Sequence, residues 1–476
     1  MRPPLAGLAR WRTPNLLRPA PAPAVQRHQR RNLLTLAIET SCDDTCVAIL
    51  SKEPASGRAT LHFNRKITSD STAYGGVYPP VALRSHDASL ATLVAESLSS
   101  LPPADAAAAQ DDGASGNGTI TVAGVPRQKP TFITVTRGPG MSANLASGLA
   151  TAKGLATAWQ IPLLAVNHMQ AHALTPRLVS ALDRPGDGRE AQPEFPFLTL
   201  LVSGGHTQLV HSQSLTSHRI LASSNNIAVG DALDKAARHI LPPDLIASHG
   251  DVMYGALLER FAFPDSFPSS PAAPGHERSD YDYEYTPPRR RADEIATYAS
   301  PYSWTLTPPL SASRALAYDF NGLGSEIRKI ASSGGGGGGG GDGMPLEERR
   351  VLARAAMRLL FEHLASRVFL ALSAEPELKD TLRTLVVSGG VASNRFLMHV
   401  LRSVLDARGF AHVGLTAPPP ALCTDNAAMI AWTGMEMYEA GWESDLSVHP
   451  ERKWSIDPAS EEGGILGVGG WATRRT

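Results

Sequence analysis

The sequence predicts an α/β chain built from two related domains, and three observations carry that prediction. An apolar strand, a turn of small polar residues and a returning strand occur at 33–50 (Leu33 to Ile38, Glu39 to Thr45, Cys46 to Leu50). The same plan returns at 197–211 (Phe197 to Val202, Ser203 to Thr207, Gln208 to His211). A third strand beginning at Leu385 ends in the Gly-rich turn Ser388-Gly-Gly-Val-Ala-Ser-Asn394 and leads into a helix. Short apolar runs bounded by such turns and alternating with helical segments are the pattern of α/β sheets.

Length and charge limit what such a chain can be. Its 476 residues suffice for two or three domains with substantial cores. No apolar run approaches the ~18 residues of a membrane span, so no membrane role is expected. Three cysteines (Cys42, Cys46 and Cys423), without a C-x-x-C pair, provide neither a disulfide framework nor a cysteine zinc site. Seven arginines (Arg2, Arg10, Arg12, Arg18, Arg27, Arg30 and Arg31) precede the first acidic residue, Glu39. An arginine-rich, acid-free leader has the composition of a mitochondrial transit peptide, here residues 1–31, although its prolines and lack of serine suit an amphipathic helix poorly. Without it, 37 basic side chains face 45 acidic ones, a formal charge of −8. A nucleic-acid partner would therefore have to meet a local basic patch.

Taken in order, the strand 33–38 and its return 46–50 enclose Glu39-Thr-Ser-Cys-Asp-Asp-Thr45, hydroxyls and carboxylates of the kind that grip phosphate and its metal. Any hairpin turn can hold Asp and Ser, so one copy says little; a duplicated one suggests two domains closing on a nucleotide. The loop Tyr74-Gly-Gly-Val-Tyr-Pro-Pro80 precedes a helix over 81–99, and 102–130 reads as a disordered insertion rich in Ala, Asp, Gly and Pro. A strand at 131–136 leads through Arg137-Gly-Pro-Gly140 into a helix over 142–159, and a Gly turn opening a helix is a natural anion site. Polar residues 181–196 connect to the second hairpin. Gly230-Asp-Ala-Leu-Asp-Lys235 puts Asp231 and Asp234 one turn apart on a helix. Residues 262–309, rich in Pro, Ser, Tyr and charge, read as an insertion with little regular structure. Asn321-Gly322 starts a helix ended by the flexible run Gly334 to Gly341, and a long helix spans about 346–372. The segment 424–438 is helical, with Asp425 at its start.

The densest chemistry lies in Leu163 to His172, LLAVNHMQAH, a strand passing through Asn167 into a helix. His168 and His172 are one turn apart, so their imidazoles leave the same face with Cβ atoms ~5–6 Å apart. That is how a helix offers two nitrogens to one metal ion. The bland alternative is one packed and one solvated histidine. Asp425, in Cys423-Thr-Asp-Asn426, supplies a third candidate, and two imidazoles with one carboxylate leave metal positions open for a substrate.

Together these motifs make the chain similar to the universal family of tRNA threonylcarbamoyladenosine-forming transferases, especially its mitochondrial branch. The resemblance is carried, in order, by ETSCDDT (39–45), YGGV (74–77), RGPG (137–140), NHMQAH (167–172), LVSGGHTQL (201–209), GDALDK (230–235), VVSGGVASN (386–394) and CTDNAAMI (423–430). It implies an actin-like, sugar-kinase-like ATPase fold with two ribonuclease-H-like domains flanking a nucleotide cleft. The implied domains are 32–196, onto which the helix at about 424–440 packs back, and 197–423, with insertions at 262–309 and 331–345. His168, His172 and Asp425 would hold one divalent ion, with Fe, Zn and Mg all acceptable. Leu201, Val202, Ser203, Gly204, Gly205 and Asn394 would line the nucleotide site. Asp234 would contact the ribose region, and the catalytic residues Asp43 and Ser203 would sit near the phosphates. Gly250 is the nearest counterpart of a Gly-Gly turn that normally follows the Asp-Lys helix.

The implied reaction moves a threonylcarbamoyl group from threonylcarbamoyl-adenylate to N6 of the adenosine 3′ of the anticodon in tRNAs reading A-starting codons. A homodimer in the mitochondrial matrix is implied, with a separate enzyme supplying the adenylate. Pro80, Leu83 and Asn321 depart from the family's usual Glu, Ser and Ser or Thr. A general base for the N6 proton is not identifiable. Three other readings compete. An H-x-x-x-H metallopeptidase would need a Glu where Met169 stands. A small-molecule kinase or ATPase on the same fold would have no use for two histidine ligands. A nucleotide-dependent scaffold is the non-enzymatic reading.

Overall fold

The structure, a computed structural model, describes residues 32–104, 118–183, 190–250, 253–267, 281–334 and 343–474. The proposed leader, residues 105–117 of the expected insertion and nearly all of the glycine run lie outside the described residues. The chain opens with a meander, β1 (Leu33–Glu39), β2 (Asp44–Lys52) and β3 (Ala59–Thr68), followed by α1 (Pro79–Leu98). A hairpin, β4 (Thr119–Val122) and β5 (Val125–Gln128), precedes β6 (Phe132–Gly138), α2 (Ser142–Trp159), β7 (Leu163–Asn167) and α3 (His168–Leu182). A second meander follows, β8 (Phe197–Val202), β9 (Thr207–Ser212) and β10 (His218–Ser224), then α4 (Val229–Ile240), α5 (Pro243–Ala247) and α6 (Gly255–Ala262). Short pieces come next: α7 (Arg291–Glu294), β11 (Tyr298–Ala299), β12 (Thr305–Leu306) and β13 (Ala317–Tyr318). Then run α8 (Asn321–Ser332), α9 (Leu346–Ala374), α10 (Pro376–Thr381), β14 (Thr384–Ser388), α11 (Arg395–Ala407) and β15 (Gly414–Thr416). The chain finishes with α12 (Pro420–Cys423), α13 (Ala427–Glu439), β16 (Trp442–Ser444) and β17 (Trp471–Thr473).

The duplication read from the hairpins is present in the sheets. One has the order β17-β16-β7-β6-β1-β2-β3 and the other β13-β10-β9-β8-β14-β15. In each, an antiparallel meander (β1-β2-β3; β8-β9-β10) continues on its other side through parallel strands (β1-β6-β7; β8-β14-β15). Two such ribonuclease-H-like sheets in one chain are the actin-like ATPase fold. No helix among the described residues is long and apolar enough to cross a membrane.

Packing explains where the two sheets meet. One face of the first sheet buries Leu36, Ile49 and Val135 against Leu90 of α1 and Leu149 of α2. Its other face shares a core with α3, α13 and residues of the second sheet, among them Leu201, Val210 and Val386. Helices α3 and α13 therefore lie between the lobes, and α13 is buried from Ala427 to Tyr438, the burial expected of a helix apolar on every side. The buried pair Arg177–Glu436, 2.8 Å, ties the two helices together.

Three stretches correct the sequence reading. Residues 119–128, expected to be disordered, form the β4–β5 hairpin, because Ala123 and Gly124 both turn left-handed (φ 48° and 79°), as a two-residue hairpin loop demands. The insertion 262–309 has little regular structure, as expected, yet Tyr281, Trp304 and Leu306 are buried in the second core. Trp304 Nε1 also donates to Glu348, 3.0 Å. Finally, the tail beyond 440, for which the sequence shows no regular pattern, adds β16 and β17 to the edge of the first sheet, strands of three residues that show too little alternation to be read.

The seat of α13 on the first sheet depends on Gly434. A Cβ there would lie 2.3 Å from the Oγ1 of Thr134, which is fixed by Thr35 2.9 Å away. Gly434→Ala is expected to lower the unfolding free energy by about 1–3 kcal/mol despite alanine's better helix propensity. Urea denaturation checks this, and a stabilised variant would contradict it.

Candidate functional site

Two helix starts build the centre. Asn167 Oδ1 accepts the N–H groups of Met169 and Gln170, 2.9 and 3.1 Å, while its amide donates to Trp454 O, so β7 turns sharply into α3 with His168 as its first residue. Asn426 does the same for α13, accepting from Met429 N–H and donating to Leu422 and Thr424. Asp425 is thereby held just outside the helix. Its Oδ1 lies 3.1 Å from His172 Nε2 and 3.5 Å from His168 Nε2, and one ligand atom from each residue lies within 4.8 Å of the others. The two rings meet edge to face, centroids 4.7 Å apart. Neighbouring ligands ~2.1 Å from a common ion stand ~3.0–3.4 Å apart, close to the two spacings about Asp425, so the three residues are candidates for one shared ion. His172 Nδ1 is buried with no hydrogen-bond partner among the described residues.

Sequence reasoning missed the support beneath His168. Glu39, the buried last residue of β1, places Oε2 3.2 Å from His168 Nδ1 and also accepts from Ser41 N–H and the Thr136 hydroxyl. Ser41 Oγ stands 3.3 Å from the same nitrogen. A carboxylate behind a ligating histidine fixes its tautomer and orientation. The available signal was a Glu closing an otherwise apolar strand. Burial alone would push the His168 imidazolium down, but Asp425 and Glu39 outweigh it and raise it to about 10. Burial likewise opposes the ionised form of Asp425, which His168 and His172 nevertheless hold well below the usual carboxylate range. His206, left unassigned in LVSGGHTQL, faces this centre from the second lobe; burial and the neighbouring His168 and His172 push it down to about 4, so it is neutral.

The glycine turns of the second lobe converge close by. Ser203 Oγ accepts from Gly205 and His206 N–H, 3.3 and 3.0 Å, and Gly204 and Gly205 are exposed, with open space where a Cβ would stand. Gly230 comes so near that its Cβ would lie 2.7 Å from Ser203 O. Gly389 (φ +98°) would meet Val202 O at 2.5 Å, which makes it a position for glycine alone. Ser388 Oγ donates to His172 O, 2.8 Å, joining these turns to the histidine helix.

Other expected residues are engaged differently. Asn394 caps α11 through Leu397 N–H, and Asp234 Oδ1 caps α6 through Tyr254 and Gly255 N–H, 2.7 and 3.1 Å. Burial, set against those donors, leaves Asp234 raised to about 6. Gly250 lies in the exposed stretch beyond α5, and Asp43 sits in the first turn, its carbonyl accepting Ser69 N–H. The Arg137 turn is not the open anion site its glycines suggested. Gly140 and Met141 N–H donate to Arg452 and Ser41 carbonyls, and the Arg137 guanidinium is taken up by Glu451, His449 O and Gly469 O.

Two ribonuclease-H-like sheets with an imidazole–carboxylate centre between them define a protein of the actin-like ATPase fold. Similarity narrows this further. A family model described as tRNA N6-adenosine threonylcarbamoyltransferase matches residues 118–268 and 280–432. The chain is similar to the mitochondrial tRNA N6-adenosine threonylcarbamoyltransferase of Schizosaccharomyces pombe, 34% identical over 460 residues covering 94% of this chain and 90% of that one. It is also similar to the tRNA N6-adenosine threonylcarbamoyltransferase of Sinorhizobium medicae, 31% identical over 440 residues covering 91% and 98%. Among solved structures, component A of the Acidaminococcus fermentans (R)-2-hydroxyglutaryl-CoA dehydratase is a remote likeness, 12% identical with a TM-score of 0.38, covering 85% of this chain and 97% of that one. The chain belongs to the tRNA N6-adenosine threonylcarbamoyltransferase family and is a tRNA-modifying transferase.

In the metal-free protein the paired His168 imidazolium stabilises the fold below its ordinary value of 6.5, and that contribution is lost as pH rises towards 10. Removing a neighbouring negative charge disfavours the imidazolium. Glu39→Gln and Asp425→Asn are each therefore expected to lower the His168 titration midpoint, read by NMR on metal-free protein. An unmoved midpoint would mean that these carboxylates do not govern it.

Proposed function

We propose that this chain transfers the threonylcarbamoyl group from threonylcarbamoyl-adenylate to N6 of the adenosine 3′ of the anticodon in tRNAs that read A-starting codons, within the mitochondrion. The observation that carries the reading is the junction of the His168–His172–Asp425 centre with the glycine turns at 203–205 and 389–390. Gly204 and Gly205 leave open space for a nucleotide to approach the backbone, Gly389 holds its turn against Val202, and the centre stands where a phosphate or carbonyl oxygen of the donor would need opposing charge. The name of the Schizosaccharomyces pombe relative and the arginine-rich residues 1–31, read as a transit peptide, support the mitochondrial location and its matrix.

In this reading His168, His172 and Asp425 hold one divalent ion of the Fe, Zn or Mg kind, which would act as a Lewis acid on donor oxygens. The protein's own work is positioning. Leu201 to Gly205 and Asn394 line the nucleotide, Asp234 and Gly250 face its ribose side, and Asp43 and Ser203 stand near the phosphates. Glu39 keeps His168 in one orientation. The donor carbonyl is a mixed anhydride with AMP as its leaving group, so no covalent protein nucleophile is required. Holding donor and adenine amine in line is worth up to ~7–11 kcal/mol in ideal intramolecular geometry. Lobes 32–196, with α13 packed back on it, and 197–423, with insertions 262–309 and 331–345, close on the donor. The active form is a homodimer, and a separate enzyme makes the adenylate.

The test uses purified protein, unmodified tRNA and threonylcarbamoyl-adenylate, scored for modified nucleoside. Wild type forms product. Chelation abolishes it, and Asp425→Ala lowers it by more than the ~10–100-fold typical of losing a residue behind a ligand, with folding unchanged. Equal activity in Asp425→Ala would sink the metal assignment. No product from folded, metal-loaded wild type would sink the reaction.

A further inference from the structure

Large apolar side chains exposed on one short loop are uncommon in a folded protein and ask for a partner. Tyr74, Val77 and Tyr78 are 57%, 44% and 40% exposed, and the two tyrosine rings stack on each other in the open, centroids 4.1 Å apart and 16° from parallel. The loop is built rather than loose. Tyr74 N–H donates to Ser71 O, Gly75 N–H to Thr72 O with Gly75 at φ +66°, and Tyr78 N–H to Ser71 Oγ, 3.3 Å.

Its position ties it to the site. Ser69 N–H donates to Asp43 O, 3.0 Å, so the loop leaves directly beside the turn 40–43, two residues from Ser41 and its His168 neighbour. On the other flank of that turn, Met141 N–H donates to Ser41 O and Gly140 N–H to Arg452 O. Arg452 and Lys453 are exposed there, and neither forms an ion pair among the described residues. The open aromatic stack and the two exposed cations thus each belong to a segment tied by backbone hydrogen bonds to the turn 40–43, the second through residues 140–141.

The geometry points to a nucleobase platform: Tyr74 and Tyr78 receive an unstacked base of the tRNA loop that carries the target adenosine, while Arg452 and Lys453 meet its phosphates. A stack of two rings offers a π face that any unpaired base can extend, and single-stranded loops are held in this way by aromatic and cationic groups together. With the chain close to neutral overall, a local cationic edge is what an RNA requires. The inference rests on the tRNA-modifying reading and adds the residues that hold the RNA.

The test is equilibrium binding of the full chain to unmodified tRNA by fluorescence anisotropy across a salt series, with thermal melting and sedimentation on every variant. Tyr74→Ala and Tyr78→Ala are expected to weaken binding ~5- to 100-fold with the salt slope kept. Tyr74→Phe, which preserves the ring, stays near wild type. Arg452→Ala with Lys453→Ala flattens the plot of log affinity against log salt by about one unit for each phosphate that is no longer neutralised. In turnover, KM for tRNA rises in the tyrosine variants while kcat holds. Binding within twofold of wild type in the folded Tyr74→Ala/Tyr78→Ala double variant overturns the platform. So does weakened binding that accompanies a change of oligomeric state, which would make this face a protein interface. A wild type that binds no tRNA overturns platform and transferase reading together, whereas a wild type that binds and modifies tRNA beside equally competent tyrosine variants overturns the platform alone.

Discussion

The constraint on which this molecule turns is the placing of two carboxylates and two imidazoles in a largely buried space between its lobes. Asp425 and Glu39 would each be costly there if unpaired, because a charge taken from water needs an opposite charge or several donors. His168 lies between them, one nitrogen towards each, and His172 shares Asp425. The group is stable only if two helices begin at fixed points. Each start is pinned by an asparagine that caps its helix and also donates to a carbonyl, Asn167 to Trp454 and Asn426 to Leu422 and Thr424. The Arg177–Glu436 pair and the close approach of Gly434 to Thr134 then hold the helices to each other and to the sheet.

The second lobe is keyed to the same helices. Ser388 reaches His172 O, Gly389 presses on Val202 O, Gly230 on Ser203 O, and a Cβ on Gly390 would touch Thr424 beside Asp425. Lys66 joins Asp44 to Thr424 from the first lobe, 2.9 and 3.3 Å. Movement of either lobe would be transmitted to His168, His172 and Asp425 through these close contacts. Such coupling suits chemistry in which position, rather than a covalent nucleophile, supplies the rate.

How much of this was legible in the sequence depended on the range of the interaction. The hairpins at 33–50 and 197–211, the helix at 142–159 and the His168–His172 face follow from local period and spacing, and they stand where the residues indicated. Asp425 was found because an acidic residue opens an apolar helix. Glu39 was missed because its meaning comes from His168, 129 residues away. Asn394 and Asp234 each also cap a helix through a side-chain oxygen, a role that no local pattern shows because it is set by where the following chain turns. The β4–β5 hairpin was hidden by a neighbouring stretch of alanine, aspartate and glycine that dominated the composition. The tail strands were hidden by their shortness, since they owe their conformation to the edge of β7.

The two copies of the hairpin have divided the work that their common plan allows. In the first, three successive carbonyls of the turn are engaged: Cys42 O accepts from Asn144 and His86, Asp43 O from Ser69, and Ser41 O from Met141. Its side chains turn inward, Glu39 and Ser41 both reaching His168. In the second, Ser203 folds the turn on itself and leaves Gly204 and Gly205 exposed, with open space beside them. The tail completes the contrast by satisfying Arg137 from behind with Glu451 and two carbonyls, which closes the glycine turn at 137–140 to an outside anion. The first copy is therefore a support for the histidines, whereas the second leaves its glycine backbone open to solvent, so one ancestral plan gives two turns of opposite accessibility on either side of the same helices.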